Sequence, residues 1–97
     1  MIMKRIAIIG AGVSGLTMGR LLATHASVTV FESDSRPGGL IKCARVDGNL
    51  FHTCGGHVFN TRREDVLDFF WGIFDRDRDF VKADRNSVVK MPDGAEI

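Results

Sequence analysis

Two short apolar runs near the start of the chain have the pattern of strands that are buried on both faces of a parallel sheet. The first, KRIAIIG at residues 4–10, is rich in β-branched residues and ends in glycine, and the second is SVTVFE at residues 27–32. Between them, SGLTMGRLLATH at residues 14–25 places leucines among good helix formers. The order strand, helix, strand predicts an α/β fold that begins with a βαβ unit.

A hairpin and a second helix are predicted after this unit. Asp47-Gly48 is a favourable turn between the two short runs of LIKCARVDGNLFHT, residues 40–53. Thr61 and Glu64 fit a capping box, in which the Thr61 hydroxyl accepts the Glu64 amide and the Glu64 carboxylate accepts the Thr61 amide. A helix is therefore expected over residues 62–74. Its apolar residues cover more than one stripe, which predicts burial on several sides.

The last residues predict an incomplete hairpin. RNSVVKMPDGAEI, residues 85–97, reads as a strand, a turn at Pro92-Asp93-Gly94 and the first residues of a returning strand. We interpret residues 1–97 as the N-terminal portion of a longer protein. A missing C-terminal chain is expected to cover the helix at residues 62–74, and the substrate domain is expected to lie in that missing chain.

Composition favours an ordinary soluble globular protein, and the two cysteines suit a reducing cytoplasm. Hydrophobic residues make up 44% and charged residues 26% of the 97 residues, with a net charge of +1, which does not favour disorder or a nucleic-acid partner. The first residues imitate a signal peptide, but Arg20 interrupts the apolar run, and no stretch is long enough to span a bilayer. We expect Cys43 and Cys54 to be small buried thiols in a reducing compartment, with a disulfide as the alternative and no metal site.

The glycine-rich stretch GAGVSG indicates a dinucleotide site. It lies between the first predicted strand and helix, which is the context that makes a G-x-G-x-x-G pattern specific for a Rossmann-like unit. Gly10 permits the tight turn, Gly12 lets the backbone approach a diphosphate, and Gly15 lets the helix pack close to the strand. The diphosphate is expected on the N–H groups at the helix start, at Val13 and Ser14.

Glu32 ends the second strand 22 residues after Gly10. A carboxylate at this place can accept hydrogen bonds from an adenosine ribose, and it repels a 2′-phosphate, so NADP is disfavoured. The alternative is that the glycines serve only the turn and packing, while Glu32 is a solvated strand end.

A second glycine pair bears on the choice between FAD and NAD, because both cofactors present the same ADP half to the first motif. RPGG at residues 36–39 adds Arg36, Gly38 and Gly39, whose backbone N–H groups can approach the diphosphate or its sugar chain. A simple turn is the alternative.

With this pair, the chain resembles the N-terminus of FAD enzymes of the amine oxidase and protoporphyrinogen oxidase type. The stretch GNLFHTCGGHVFNTRREDVLDFF further resembles UDP-galactopyranose mutase, whose pattern is G-x-x-x-H-x-x-G-x-H-x-F-H-T followed by a helix. That resemblance implies FAD as cofactor, a nucleotide sugar as substrate, and a loop with Gly55, Gly56 and His57 against the flavin ring. A glycine turn before a helix, with His57 as a buried histidine, is the alternative.

The chain departs from the mutase pattern at two positions. Asn60 replaces the second histidine of H-x-F-H-T, and Cys54 replaces an aromatic residue. Asn60 can donate a hydrogen bond to a flavin carbonyl but does not titrate near neutral pH. The resemblance therefore implies either a flavin-dependent mutase or an FAD-dependent oxidase of the amine oxidase type. A dinucleotide-binding module without catalysis is the third hypothesis, and no catalytic residue is assigned within the chain.

Overall fold

The predicted βαβ unit is present in a computed structural model that describes residues 2–84 and 87–96. Strand β1 (Lys4–Ile9) is followed by helix α1 (Val13–Leu22) and strand β2 (Ala26–Phe31). The two strands pair in parallel, with Lys4 opposite Ala26 and Ile9 opposite Phe31. This arrangement confirms the α/β fold class.

Helix α1 packs on one face of the strand pair. Gly19 lets the helix lie close to the sheet, since a Cβ there would be 3.5 Å from Val30 Cγ2 and 3.6 Å from Ile8 Cδ1. The prediction that both strands are buried on both faces is wrong for the described residues. Side chains alternate between half-buried and exposed along β1, and Ile9 is 84% exposed.

The predicted hairpin is confirmed. Strands β3 (Cys43–Val46) and β4 (Asn49–His52) pair antiparallel, and the turn residues Asp47 and Gly48 both have positive φ, 50° and 78°. These values are what a two-residue turn needs to match the twist of the strands. A short 3₁₀ turn, Gly39–Ile41, precedes the hairpin.

The expected burial of the two thiols is wrong. Cys43 is half-buried on β3, and Cys54 is exposed because it lies in a stretch of exposed residues after β4. Both cysteines are free, so the disulfide alternative is not formed.

The chain divides into two compact units between Phe59 and Asn60, and the second unit contains two short helices. Helix α2 (Glu64–Trp71) is shorter than the predicted helix at 62–74, and helix α3 (Arg76–Asp79) was not expected from the sequence. The predicted capping box is wrong. The Thr61 hydroxyl accepts the amide of Arg63 at 3.2 Å, and Arg63, whose guanidinium pairs with Asp65, is the N-cap residue.

Aromatic side chains hold the second unit together. Rings of Phe70, Trp71, Phe74 and Phe80 contact one another with centroids 4.8–5.6 Å apart. No residue of α2 is buried, so cover from another part of the protein stays a prediction.

The end of the described chain forms a turn rather than a strand pair. The Met91 amide donates to the Ala95 carbonyl at 2.8 Å, and a single antiparallel bridge joins Lys90 to Glu96. Residues 87–89, where a strand was predicted, have no regular structure. The rest of that prediction, at residues 85, 86 and 97, lies outside the described residues. No helix in the described ranges is long and apolar enough to cross a membrane.

Candidate functional site

A cleft of about 440 Å³ opens where β1 meets α1. Its walls come from the glycine turn, defined as residues 10–15, and from the glycine pair, Gly38 and Gly39. The lining residues are Ile9, Gly10, Gly12, Val13, Ser14, Gly15, Gly38, Gly39, Leu40 and Ile41. Seven of the thirteen cofactor-binding residues predicted from the sequence therefore line the same cleft.

The glycine turn is fixed to the sheet and leaves no room for a side chain at its end. The Gly10 amide donates to the Phe31 carbonyl at 2.7 Å, which continues the β1–β2 pairing into the turn. A Cβ at Gly15 would lie only 1.9 Å from the carbonyl oxygen of Gly10. The predicted role of Gly15 in close packing therefore has a direct geometric basis.

Helix α1 begins at this cleft without a side-chain cap. Gly12 is the N-cap residue, the first turn contains no acidic residue, and the Leu16 amide donates to the Gly12 carbonyl at 3.0 Å. The amides of the first turn have no partner within a helix, and they lie at the positive end of its dipole. The cleft is thus suited to an anion such as a diphosphate.

Glu32 does not line the cleft, but its carboxylate supports the glycine turn. Its Oε1 accepts the Ala11 amide at 2.9 Å, and its Oε2 accepts the Asp34 amide at 3.0 Å. These two bonds, the one from Asp34 first, hold the pKa of Glu32 below its ordinary value. An ionised carboxylate has about four acceptor positions, so two remain for ribose hydroxyls.

The glycine pair contacts the glycine turn. The Gly38 amide donates to the Ala11 carbonyl at 2.8 Å, so this amide is used within the protein. Arg36 is exposed and its guanidinium donates to the Cys43 carbonyl at 3.0 Å, away from the cleft lining.

Lys42 was not singled out from the sequence, yet it connects three segments. Its ammonium pairs with the Asp34 carboxylate, which lowers the pKa of Asp34. Its side-chain stem lies over the glycine pair, since a Cβ at Gly38 would be 3.0 Å from Lys42 Cγ. Its carbonyl accepts both the amide and the hydroxyl of Thr53, at 3.2 and 2.7 Å.

The glycine–histidine segment, residues 55–57, is exposed and does not line the cleft. A Cβ at Gly55 or Gly56 would meet no atom within 4 Å, so open space surrounds this backbone. The His57 ring lies 5.8 Å from the His52 ring, between centroids. Asn60, also exposed, begins the second unit. Among the described residues, no three His, Cys, Asp or Glu side chains are grouped to hold a metal ion.

Three apolar lining residues were missed from the sequence: Ile9, Leu40 and Ile41. Ile9 directly precedes Gly10, and Leu40 and Ile41 are the two residues after the glycine pair, so closeness to the motif glycines is the signal that points to them. Leu40 is 73% exposed and Ile41 48%, so the cleft has an apolar wall beside its backbone donors.

Comparison with known proteins gives the family. The chain matches the model described as NAD(P)-binding Rossmann-like domain over residues 8–72. It is 33% identical over 92 residues to UDP-galactopyranose mutase of Mycoplasma pneumoniae. This alignment covers 88% of this chain and 23% of that protein. For UDP-galactopyranose mutase of Mycoplasma genitalium, the identity is 36% over 75 residues, covering 72% and 18%.

Mitochondrial protoporphyrinogen oxidase of Nicotiana tabacum is 48% identical over 49 residues, which covers 50% of this chain and 10% of that protein. The predicted resemblance to both kinds of protein is thereby confirmed, and the chain spans less than a quarter of the length of each of these relatives. Since the family model matches well over half of the chain, this protein belongs to the NAD(P)-binding Rossmann-like domain family.

Proposed function

We propose that residues 1–97 are the FAD-binding N-terminal part of a flavoenzyme. The observation that carries this proposal is the N-terminus of α1, which has no side-chain cap and opens onto a cleft lined by both glycine segments. Backbone donors and a helix dipole at one place favour a diphosphate.

The cleft fits the ADP half of a dinucleotide. A Cβ added at Gly12 would contact only the Gly39 Cα, at 4.0 Å, so the Gly12 backbone is open for close approach from the cleft. The volume of about 440 Å³ lies within the range of ligand sites. In the proposed arrangement, the unused acceptor positions of Glu32 bind the ribose hydroxyls.

FAD is favoured over NAD by the second glycine segment and by the resemblance to flavoenzymes. The glycine pair and the apolar residues Leu40 and Ile41 extend the cleft beyond the first motif. We place the flavin ring near Gly55, Gly56 and His57, where open space around the backbone allows a planar group to approach. Asn60 is proposed to donate a hydrogen bond to this ring.

The parent enzyme is proposed to be a mutase that acts on a nucleotide sugar such as UDP-galactopyranose. The alignments with two UDP-galactopyranose mutases cover 88% and 72% of this chain, whereas the alignment with protoporphyrinogen oxidase covers 50%. Bound FAD would supply the electron-transfer or nucleophilic chemistry. The residues of this chain bind and orient it, and the substrate-binding residues are proposed to lie outside residues 1–97.

An FAD-dependent oxidase of the amine oxidase type is the second candidate, favoured by the 48% identity to protoporphyrinogen oxidase over 49 residues.

One set of experiments separates the candidates. The full-length protein is denatured and the released cofactor is identified by its absorption spectrum and mass. We expect FAD; release of NAD, or no cofactor with no binding of added FAD, would contradict the proposal.

The same protein, reduced with dithionite, is then incubated with UDP-galactofuranose, and the formation of UDP-galactopyranose is followed by chromatography. Conversion supports the mutase. Bound FAD without conversion, together with oxygen consumption on amine substrates, would favour the oxidase. Bound FAD without either reaction would favour a module that does not catalyse a reaction.

A further inference from the structure

The two glycine segments touch through their backbones, without any side chain between them. A Cβ at Gly39 would lie 3.0 Å from the Gly12 Cα and 3.9 Å from the Gly12 nitrogen. Next to this contact, the Gly38 amide donates to the Ala11 carbonyl at 2.8 Å. The glycine pair therefore lies directly against the residues that lead into α1.

This contact cannot absorb a side chain at Gly39 without movement. A separation of 3.0 Å is shorter than ordinary van der Waals contact. The atoms that the added Cβ would meet belong to the Gly12 backbone, which cannot rotate away as a side chain can. Either Gly12 shifts away from Gly39, or the 3₁₀ turn Gly39–Ile41, whose three residues all line the cleft, moves.

We propose that Gly39 is a positioning residue for diphosphate binding and that it acts through its backbone contact with Gly12. Its missing side chain lets the glycine pair lie against the glycine turn, so that the amides of the first helical turn are held at the correct distance from a diphosphate. Hydrogen bonds to backbone amides weaken within a few tenths of an ångström, so a small shift of Gly12 is enough to reduce affinity. This inference rests on the proposed dinucleotide function and adds the origin of the geometry.

The test compares asparagine at two glycines of the full-length protein. Gly39 has φ 57°, in the left-handed region that asparagine tolerates, so Gly39→Asn adds the Cβ contact with little backbone strain. Gly48, with φ 78°, has nothing within 4 Å of an added Cβ and does not line the cleft, so Gly48→Asn is the matched control. Affinities for FAD and for ADP are measured by titration, and thermal unfolding without cofactor is recorded for each protein.

We expect Gly39→Asn to weaken both affinities at least tenfold and Gly48→Asn to change them by less than twofold. Equal losses in the two variants, or wild-type affinity in Gly39→Asn, would overturn the inference. If the wild-type protein binds ADP but not FAD, the flavin proposal is refuted and the Gly39 test remains valid. If it binds neither ligand, both proposals are refuted.

If Gly39→Asn does not fold, the wild-type protein provides the test by NMR. Addition of ADP is expected to shift the backbone resonances of Gly12 and Gly39 with the same apparent dissociation constant. A shift confined to residues 12–16, with Gly39 and its neighbours unchanged, would show that the two segments are not coupled.

Discussion

At the scale of single residues, the candidate site depends on the absence of a side chain at Gly12 and on the carboxylate of Glu32. Gly12 is the N-cap residue directly before α1, and an added Cβ there would meet only the Gly39 Cα within 4 Å. Glu32 is the only charged residue of the predicted site whose hydrogen bonds reach the glycine turn in the described structure. Substitutions at these two positions test different halves of the same ligand.

Gly12→Val is expected to abolish binding of FAD while leaving a folded protein. The side chain would occupy the space through which a diphosphate reaches the backbone, and a Cβ at this position meets only the Gly39 Cα within 4 Å, at 4.0 Å. Circular dichroism checks the fold, and flavin fluorescence checks the binding. Stoichiometric cofactor in the purified variant would place the phosphate turn elsewhere.

Glu32→Ala is expected to weaken FAD binding about tenfold or more, because it removes the proposed hydrogen bonds to the ribose and leaves the amide of the buried Ala11 without its carboxylate partner. Glu32→Gln is the matched control, since its amide oxygen can still accept the Ala11 N–H. We expect the glutamine variant to lose less affinity than the alanine variant. Unchanged affinity in Glu32→Ala, by fluorescence titration, would contradict the assignment.

Acid should weaken this part of the site. Because backbone bonds from Asp34 and Ala11 lower the folded-state pKa of Glu32, its contribution to stability is present above the unfolded value of about 4.3 and is lost as the pH falls through the lower folded value. The melting temperature of the wild type is expected to fall more steeply below about pH 4.3 than that of Glu32→Gln. Parallel curves for the two proteins would show that Glu32 is not the titrating group.

At the scale of elements, local chemistry predicted some features and tertiary contacts decided the others. The Asp47-Gly48 turn was predictable because both residues tolerate positive φ, and α1 was predictable because the glycine motif gives its start. The helix start predicted from Thr61 was wrong, because the Thr61 hydroxyl accepts the Arg63 amide and not the Glu64 amide. The helix therefore begins at Glu64. The role of Lys42 was not predictable, since its partners are brought to it only by the folded loop.

Lys42 offers a test of charge against packing. Lys42→Met removes the ion pair with Asp34 but keeps a stem over Gly38, whereas Lys42→Ala removes both. Surface ion pairs contribute little on average, so we expect Lys42→Met to change FAD affinity by less than about threefold and Lys42→Ala to change it more. Titration of both variants with FAD checks this. An equal, large loss in both would show that the ion pair matters most.

At the scale of the whole molecule, the described chain buries little. Ala11 and Ala26 are its buried apolar residues, and many large apolar side chains are more than one third exposed. Two of these, Ile9 and Phe31, lie on the face of β1 and β2 away from α1 and are 84% and 53% exposed. Such surface favours association in water unless it is covered.

The 97-residue chain alone is therefore expected to bind FAD poorly and to self-associate. Ordering residues 53–61, which are all exposed except the half-buried Thr61, costs about 1–2 kcal/mol of backbone entropy per residue, which packing from elsewhere must offset. Isothermal titration compares FAD binding by the 97-residue chain and the full-length protein, and sedimentation reports association. Equal micromolar binding by both would show that this chain is a self-sufficient domain.

The contacts that shape the glycine turn have a further consequence for the order of folding. The Gly10–Phe31, Ala11–Glu32 and Ala11–Gly38 hydrogen bonds close loops of similar length, roughly twenty to thirty residues. Loop-closure entropy rises slowly with length, so once β2 pairs with β1 the remaining contacts add little cost. During synthesis, all of these partners leave the ribosome before the hairpin does. The contacts that shape the glycine turn thus all lie within the first 39 residues, so the turn can form before the rest of the chain is made.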